Sequence, residues 1–168
     1  LGSAATAPSG WRGRVGQPCT GGRNTGWRVV KPTIGAMFVH LRLHTEFSVV
    51  DGTTRIDEIV KAAARDAQPA LAITDLSNLF GAIKFYKEAR KRGVKPLIGA
   101  EIWLEGLGKD SAALSRIVLL VQNTQGYLNL SELLARAWTQ NADKPQASVR
   151  LAWLRELNEG LIALSGAQ

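Results

Sequence analysis

Between Phe38 and His44 the chain alternates: Phe38, His40, Arg42 and His44 fall on one side of an extended segment, and Val39, Leu41 and Leu43 on the other. The strand so predicted breaks at Thr45-Glu46-Phe47-Ser48 and turns at Asp51-Gly52. From Thr54 the period changes to that of a helix, with Ile56, Ile59, Val60 and Ala63 or Ala64 on one face. Thr54 and Asp57 are spaced as a capping box, and Pro69 limits the helix at its far end. Ala70-Leu71-Ala72-Ile73 reads as a short buried strand, Asn78 to Arg92 as a second helix closed by Gly93, and Pro96 to Leu104 as a third strand. A loop from Gly106 to Ser111 leads to a fourth strand at Arg116 to Val121. A third helix follows over Gly126 to Trp138 with Tyr127, Leu130, Leu133 and Leu134 inward. After a polar Gln140 to Ser148 loop, Leu151 to Leu157 is helical and Gly160 to Leu164 is a fifth strand. Phe80, Phe85 and Tyr86 are expected in the helix packing, not as a base-stacking platform.

Alternating strands and helices predict an α/β fold with parallel strands and right-handed crossovers, open or closed into a barrel. The chain stops as its fifth strand ends, so a truncated domain is expected. No Gly-x-Gly-x-x-Gly follows the first strand and no Walker sequence is present, which disfavours the nucleotide-binding members of that class. Residues 1–36 show neither period and are punctuated by Gly, Pro and Asn; they read as a disordered leader, best explained as an artefactual extension upstream of Met37. They lack the apolar stretch of a secretory signal and make a poor amphipathic transit helix. A basic arm that stacks nucleic-acid bases on Trp11 and Trp27 is the minor alternative.

Charge changes this picture little. The net charge is +7, but five basic residues and no acid lie in residues 1–36, leaving sixteen basic against fourteen acidic groups in the rest. A balanced core gives no general nucleic-acid signature. Cys19 is the only cysteine, which excludes an internal disulfide and a cysteine zinc site and points to a reducing, cytoplasmic setting. No apolar run reaches the length of a membrane span.

The candidate chemistry lies at the ends of the first three strands. His40, Arg42, His44, Asp75 and Glu101 all fall there, at the rim where parallel α/β folds bind ligands. Imidazole and carboxylate groups suit a hydrolytic metal site, but Arg42 is permanently charged and repels a divalent ion. A rim closed by ion pairs, Arg42 with Glu101 or Asp75, is the preferred reading, because it also explains a glutamate inside an apolar strand. Ser48 or Ser77 with a histidine is a weaker candidate, since no nucleophile-elbow sequence surrounds either.

Four blocks, FVHLRLHTEFSVVDG, ALAITDLSNLFGAIKFYKEARKRGVKPLIGAEIWL, IVLLVQNTQGYLNLSELLARAW and LNEGLIALSG, closely resemble in order the PHP (polymerase and histidinol phosphatase) domain of bacterial DNA polymerase III alpha subunits. The resemblance runs from Met37 to about Gly166 and implies a partial distorted barrel holding the first five strands of about seven βα units. Family members with an intact metal site carry His-x-His after the first strand, Thr-Asp-His after the second, and a glutamate after Gly-x in the third. Here Arg42 stands at the first histidine position, His44 keeps the second, Leu76 replaces the histidine after Thr74-Asp75, and Glu101 is retained. The resemblance therefore implies a vestigial rim of His40, His44, Asp75 and Glu101, with Arg42 and Leu76 at lost ligand positions and no cofactor or catalytic residue in this region. It further implies a structural domain of a DNA-extending polymerase that uses Mg²⁺ elsewhere and works with other replicase subunits, docking a proofreading exonuclease (epsilon) subunit. The alternatives are a metal-dependent phosphoesterase or 3′–5′ exonuclease, and a non-catalytic nucleic-acid-binding module.

Overall fold

The computed structural model describes residues 38–106, 114–141 and 146–165. The predicted leader with Trp11 and Trp27, and parts of the loops predicted after Gly106 and Gln140, lie outside these residues. The elements run α1 (Ile56–Arg65), β1 (Ala70–Ile73), α2 (Ala82–Lys91), β2 (Lys95–Glu105), β3 (Leu114–Val121), α3 (Thr124–Thr139), β4 (Ser148–Arg150), α4 (Leu151–Glu156) and β5 (Leu161–Ser165).

Helix α1 buries Ile56, Val60 and Ala63, with Asp57 and Glu58 in its first turn and Arg65 in its last, each suited to the local end of the helix dipole. The predicted capping box does not form. Arg55 is the residue before the helix, and Thr54 instead bridges Thr45, its carbonyl accepting a hydrogen bond from the Glu46 amide. Helix α2 starts at Ala82, four positions later than predicted. Asn78 bends the chain first: its side-chain oxygen accepts from the Phe80 amide and its nitrogen donates to the Phe47 carbonyl. Phe85 is buried, but Phe80 and Tyr86 are exposed, contrary to the packing role predicted for all three. Gly93, at φ +74°, ends the helix in the left-handed conformation open to glycine. In α3 the inward stripe is Gly126, Leu130, Leu133, Leu134 and Ala137, so Tyr127 stands beside it and is exposed rather than inward. Asn123 caps that helix by accepting the Gly126 amide.

The strands form one five-stranded sheet in the order β1-β2-β3-β5, with β4 also on β2. β1 and β4 lie parallel to β2, at Lys95–Ile98 and Trp103–Glu105 respectively. The expectation of uniformly parallel strands fails at β3, which is antiparallel to both β2 and β5. No helix is described between β2 and β3, and a short connection returns a strand only in the antiparallel sense. The predicted first strand is extended chain, tied to β1 by a bridge from His40 to Leu71. The Ala72 amide donates to the His40 carbonyl and the Thr74 amide to the Leu43 carbonyl, so three residues are matched by two and the regular ladder is broken.

Strand alternation divides the core. Leu71 and Ile73 of β1 pack with Ile56, Val60 and Phe85 of the first two helices. Ile102 and Leu104 of β2, with Leu119 of β3, pack against Leu130 and Leu133 of α3 and Val149 of β4. The opposite face carries Ala72, Val118, Leu120 and Leu164. Glu101, paired in register with Val118, belongs to this second face.

Candidate functional site

Glu101 is fully buried, and its carboxylate is occupied on both oxygens. Arg42 forks onto it, Nε donating to Oε2 at 3.0 Å and Nη2 to Oε1 at 3.1 Å. The Nε2 of His44 meets Oε2 at 2.5 Å, while Nδ1 of the same ring lies 3.0 Å from Oδ1 of Asp51. Asp51 in turn accepts the Ser48 hydroxyl at 2.6 Å and faces Arg116 Nη1 at 3.5 Å. Arg116 sits over the Trp103 ring, 4.3 Å from its centroid. The result is a continuous series of polar contacts, Arg42, Glu101, His44, Asp51 and Arg116. Burial pushes the Asp51 carboxyl upward, but the Ser48 hydroxyl, His44 and Arg116 outweigh it and hold it below its ordinary value.

Backbone placement explains the convergence. The Asp75 carbonyl accepts the Glu101 amide at 3.2 Å and the Glu101 carbonyl accepts the Ser77 amide at 2.7 Å, so the segment after β1 continues along the same edge of β2. The Leu76 amide donates to Ser48 Oγ, which brings the Thr45 to Gly52 turn over that edge. Gly52 permits the turn: a Cβ there would stand 1.8 Å from the Thr45 carbonyl oxygen.

Arg42 pairs with Glu101, the first of the two partners predicted for it. Asp75 is held elsewhere, accepting the Thr45 amide at 2.6 Å and its hydroxyl at 2.8 Å. Burial raises its carboxyl above its ordinary value, and the two Thr45 donors offset part of the rise. His40 is not brought to the cluster; its ring packs edge-on against Phe38. Leu76 lines an apolar cleft of about 420 Å³ with Val49, Val50, Phe80, Trp103 and Trp138. Neither serine is set against a histidine: the Ser48 hydroxyl donates to Asp51 and that of Ser77 to the Ala147 carbonyl. Sequence reasoning missed Asp51, read only as a turn residue, and Arg116, read only as the start of a strand. The antiparallel register that sets Arg116 opposite Trp103, two residues from Glu101, is the signal that places it.

The PHP domain profile matches residues 40–168 of this chain. The chain belongs to the PHP domain family. Within it, the chain is similar to the DNA polymerase III subunit alpha of Pseudomonas aeruginosa, 48% identical over 131 residues, 78% of this chain and 11% of that protein. The same subunit of Escherichia coli K12 is 41% identical over 133 residues, again 78% of this chain and 11% of the relative. The chain therefore spans about 11% of the length of these relatives. Among solved structures, an amidohydrolase from Chromobacterium violaceum with bound sulfate aligns with a TM-score of 0.48 at 24% identity, over 62% of this chain and 34% of that one.

The metal that the family pattern implies does not fit these residues. A ligating carboxylate must turn a lone pair toward the ion; Glu101 Oε2 is taken by Arg42 and His44, and Oε1 accepts from Arg42, so its remaining lone pair lies beside the guanidinium. A ligating imidazole needs a free ring nitrogen, and both nitrogens of His44 face carboxylates. Leu76 offers no donor atom. The fixed guanidinium adds a positive charge where a cation would sit.

Proposed function

We propose that this chain is the PHP region of a replicative DNA polymerase of the III alpha type, in which the region is a non-catalytic scaffold with a vestigial metal rim. The observation that supports this is the fork of Arg42 on buried Glu101, completed by His44. It satisfies with protein groups the charges that an ion would otherwise satisfy. On this reading the parent protein extends DNA by nucleotidyl transfer, using Mg²⁺ held by carboxylates outside this region, in the cytoplasm. The region stabilises the polymerase and docks the proofreading exonuclease (epsilon) subunit of the same replicase.

Two measurements on the chain test the proposal. Assayed with Mn²⁺ or Zn²⁺, it should not hydrolyse bis(p-nitrophenyl) phosphate above a heat-inactivated control. Metal-dependent turnover abolished by Glu101→Gln would establish the phosphoesterase reading instead. Mixed with the exonuclease subunit from the same organism, it should comigrate as a complex on gel filtration, and separate elution would reject the docking role.

A further inference from the structure

Charge is unevenly spread over the folded region. Residues 84–95 hold six basic groups and one acid, whereas the rest of the chain from Met37 on holds ten basic groups and thirteen acids. The near balance of the region as a whole hides a local excess. Two of the six cations are neutralised: Lys84 meets Glu46 at 2.7 Å and Arg92 meets Glu88 at 2.6 Å. Lys87, Arg90, Lys91 and Lys95 are exposed and form no ion pair among the described residues.

Their placement is as informative as their number. Helix α2 turns Ala82, Phe85 and Ala89 to the core, so Lys87, Arg90 and Lys91, spaced i, i+3 and i+4, share the opposite face. Exposed Ile83 precedes Lys87 on that stripe, Tyr86 borders it at 49% exposure, and Lys95 follows just beyond the Gly93 turn. The helix dipole accounts for cations in the last turn, Arg90 and Lys91, but its effect has faded at Lys87 and does not apply to Lys95 in β2. Like charges on one helix face repel, so stability alone gives no reason to gather them.

We propose that the outer face of α2, carrying Lys87, Arg90 and Lys91 with Tyr86 at its border and Lys95 beyond its end, binds the phosphate backbone of single-stranded nucleic acid. Unpaired cations supply the sequence-independent attraction, and an exposed aromatic ring beside them offers a surface on which a base can stack. Four helical residues rise about 6 Å, so Lys87 and Lys91 present separate cations along the helix that a flexible single strand can meet with different phosphates. An anionic bilayer is the less suitable polyanion, because the apolar face that α2 would insert is already buried in the core.

The test is fluorescence anisotropy of a labelled oligothymidylate titrated with the full 168-residue chain across a KCl series. Lys87→Glu/Arg90→Glu/Lys91→Glu should weaken binding at low salt by about tenfold or more and reduce the salt slope by about 2, at roughly 0.7 per phosphate contact. Lys87→Gln/Arg90→Gln/Lys91→Gln should lower the slope likewise, and an unchanged thermal transition shows that the fold is kept. Because residues 1–36 are also basic, the comparison is repeated with Arg12, Arg14, Arg23 and Arg28 all changed to Gln, and the α2-dependent loss should persist. Binding by both triple variants with parental affinity and slope would overturn the proposal. So would parental binding to phosphatidylserine vesicles without binding to the oligonucleotide.

Discussion

Replacing Arg42 by alanine removes the guanidinium that forks onto Glu101 and leaves a buried carboxylate with the His44 ring as its remaining side-chain partner. Breaking a fully buried ion pair from one side costs about 3–5 kcal/mol, because the orphaned charge has no compensation. The Arg42 side chain is 43% exposed while that of Glu101 is 0% exposed, so water already reaches one partner and can reach the other once the guanidinium is gone. Halving the buried-pair figure for that screening, and for the hydrogen bond that His44 retains, gives about 2 kcal/mol. With a urea slope of roughly 1–3 kcal/mol per molar, the unfolding midpoint should fall by roughly 1 M. The assay is equilibrium urea unfolding of the parent, Arg42→Ala, Glu101→Gln and the double variant. In Glu101→Gln the buried charge is absent, so deleting Arg42 no longer strands it. The double variant should thus be less destabilised than the two single costs predict, by about 1–2 kcal/mol. Additive costs, or an Arg42→Ala variant within about 0.5 kcal/mol of the parent, would show that the pair is not what holds the rim.

Two carboxylates should give opposite pH dependences. Asp75 has a native pKa above its unfolded value, so its protonated form contributes stability that is full below the unfolded value and lost as pH rises through the native one. The parent should therefore lose stability relative to Asp75→Asn as pH rises out of the ordinary carboxylate range, and a flat difference would refute the burial argument. Asp51 is held below its unfolded value, so its contribution is present above that value and lost as pH falls through the native one; the stability gap between parent and Asp51→Asn should narrow on acidification. Gly52→Ala places a methyl group 1.8 Å from the Thr45 carbonyl oxygen and should cost about 3 kcal/mol by displacing the turn over the rim, read by thermal unfolding; a neutral outcome would show the turn to be adaptable.

The parts of the fold that the sequence made legible are those in which one physical signal acted alone. β1 is found with the bounds its buried apolar run predicts, and α3, α4 and β5 lie within one or two residues of theirs, while α1 starts two residues after Thr54 and ends at Arg65, well short of Pro69. Where two signals competed, the reading failed. Asn78 serves a turn before it can serve a helix, Thr54 bridges instead of capping, and the alternation from Phe38 to His44 is interrupted by an irregular match to β1. The antiparallel return of β3 was hidden because strand periodicity carries no direction; only the lack of helical periodicity in the sequence from Gly106 to Ser111 hinted at it. At the rim, the cost of burying Glu101 correctly demanded a partner and Arg42 was one of the few available. Asp51 and Arg116 were not legible, since their roles depend on where the turn and the hairpin lie in space. The face of α2 was overlooked for a related reason: a charge count over the folded region averages out a local excess.

The proposed scaffold role requires that Arg42 and His44 satisfy Glu101 in place of a metal ion. Elemental analysis of the chain, purified without chelator and then dialysed against Zn²⁺ and Mn²⁺, addresses this directly. Both metals should remain at the level of the dialysis buffer in the parent, whereas Arg42→His/Leu76→His, which restores two donor rings, should retain more. A stoichiometric ion in the parent, removed by chelator and lost in Glu101→Gln, would contradict the closed rim.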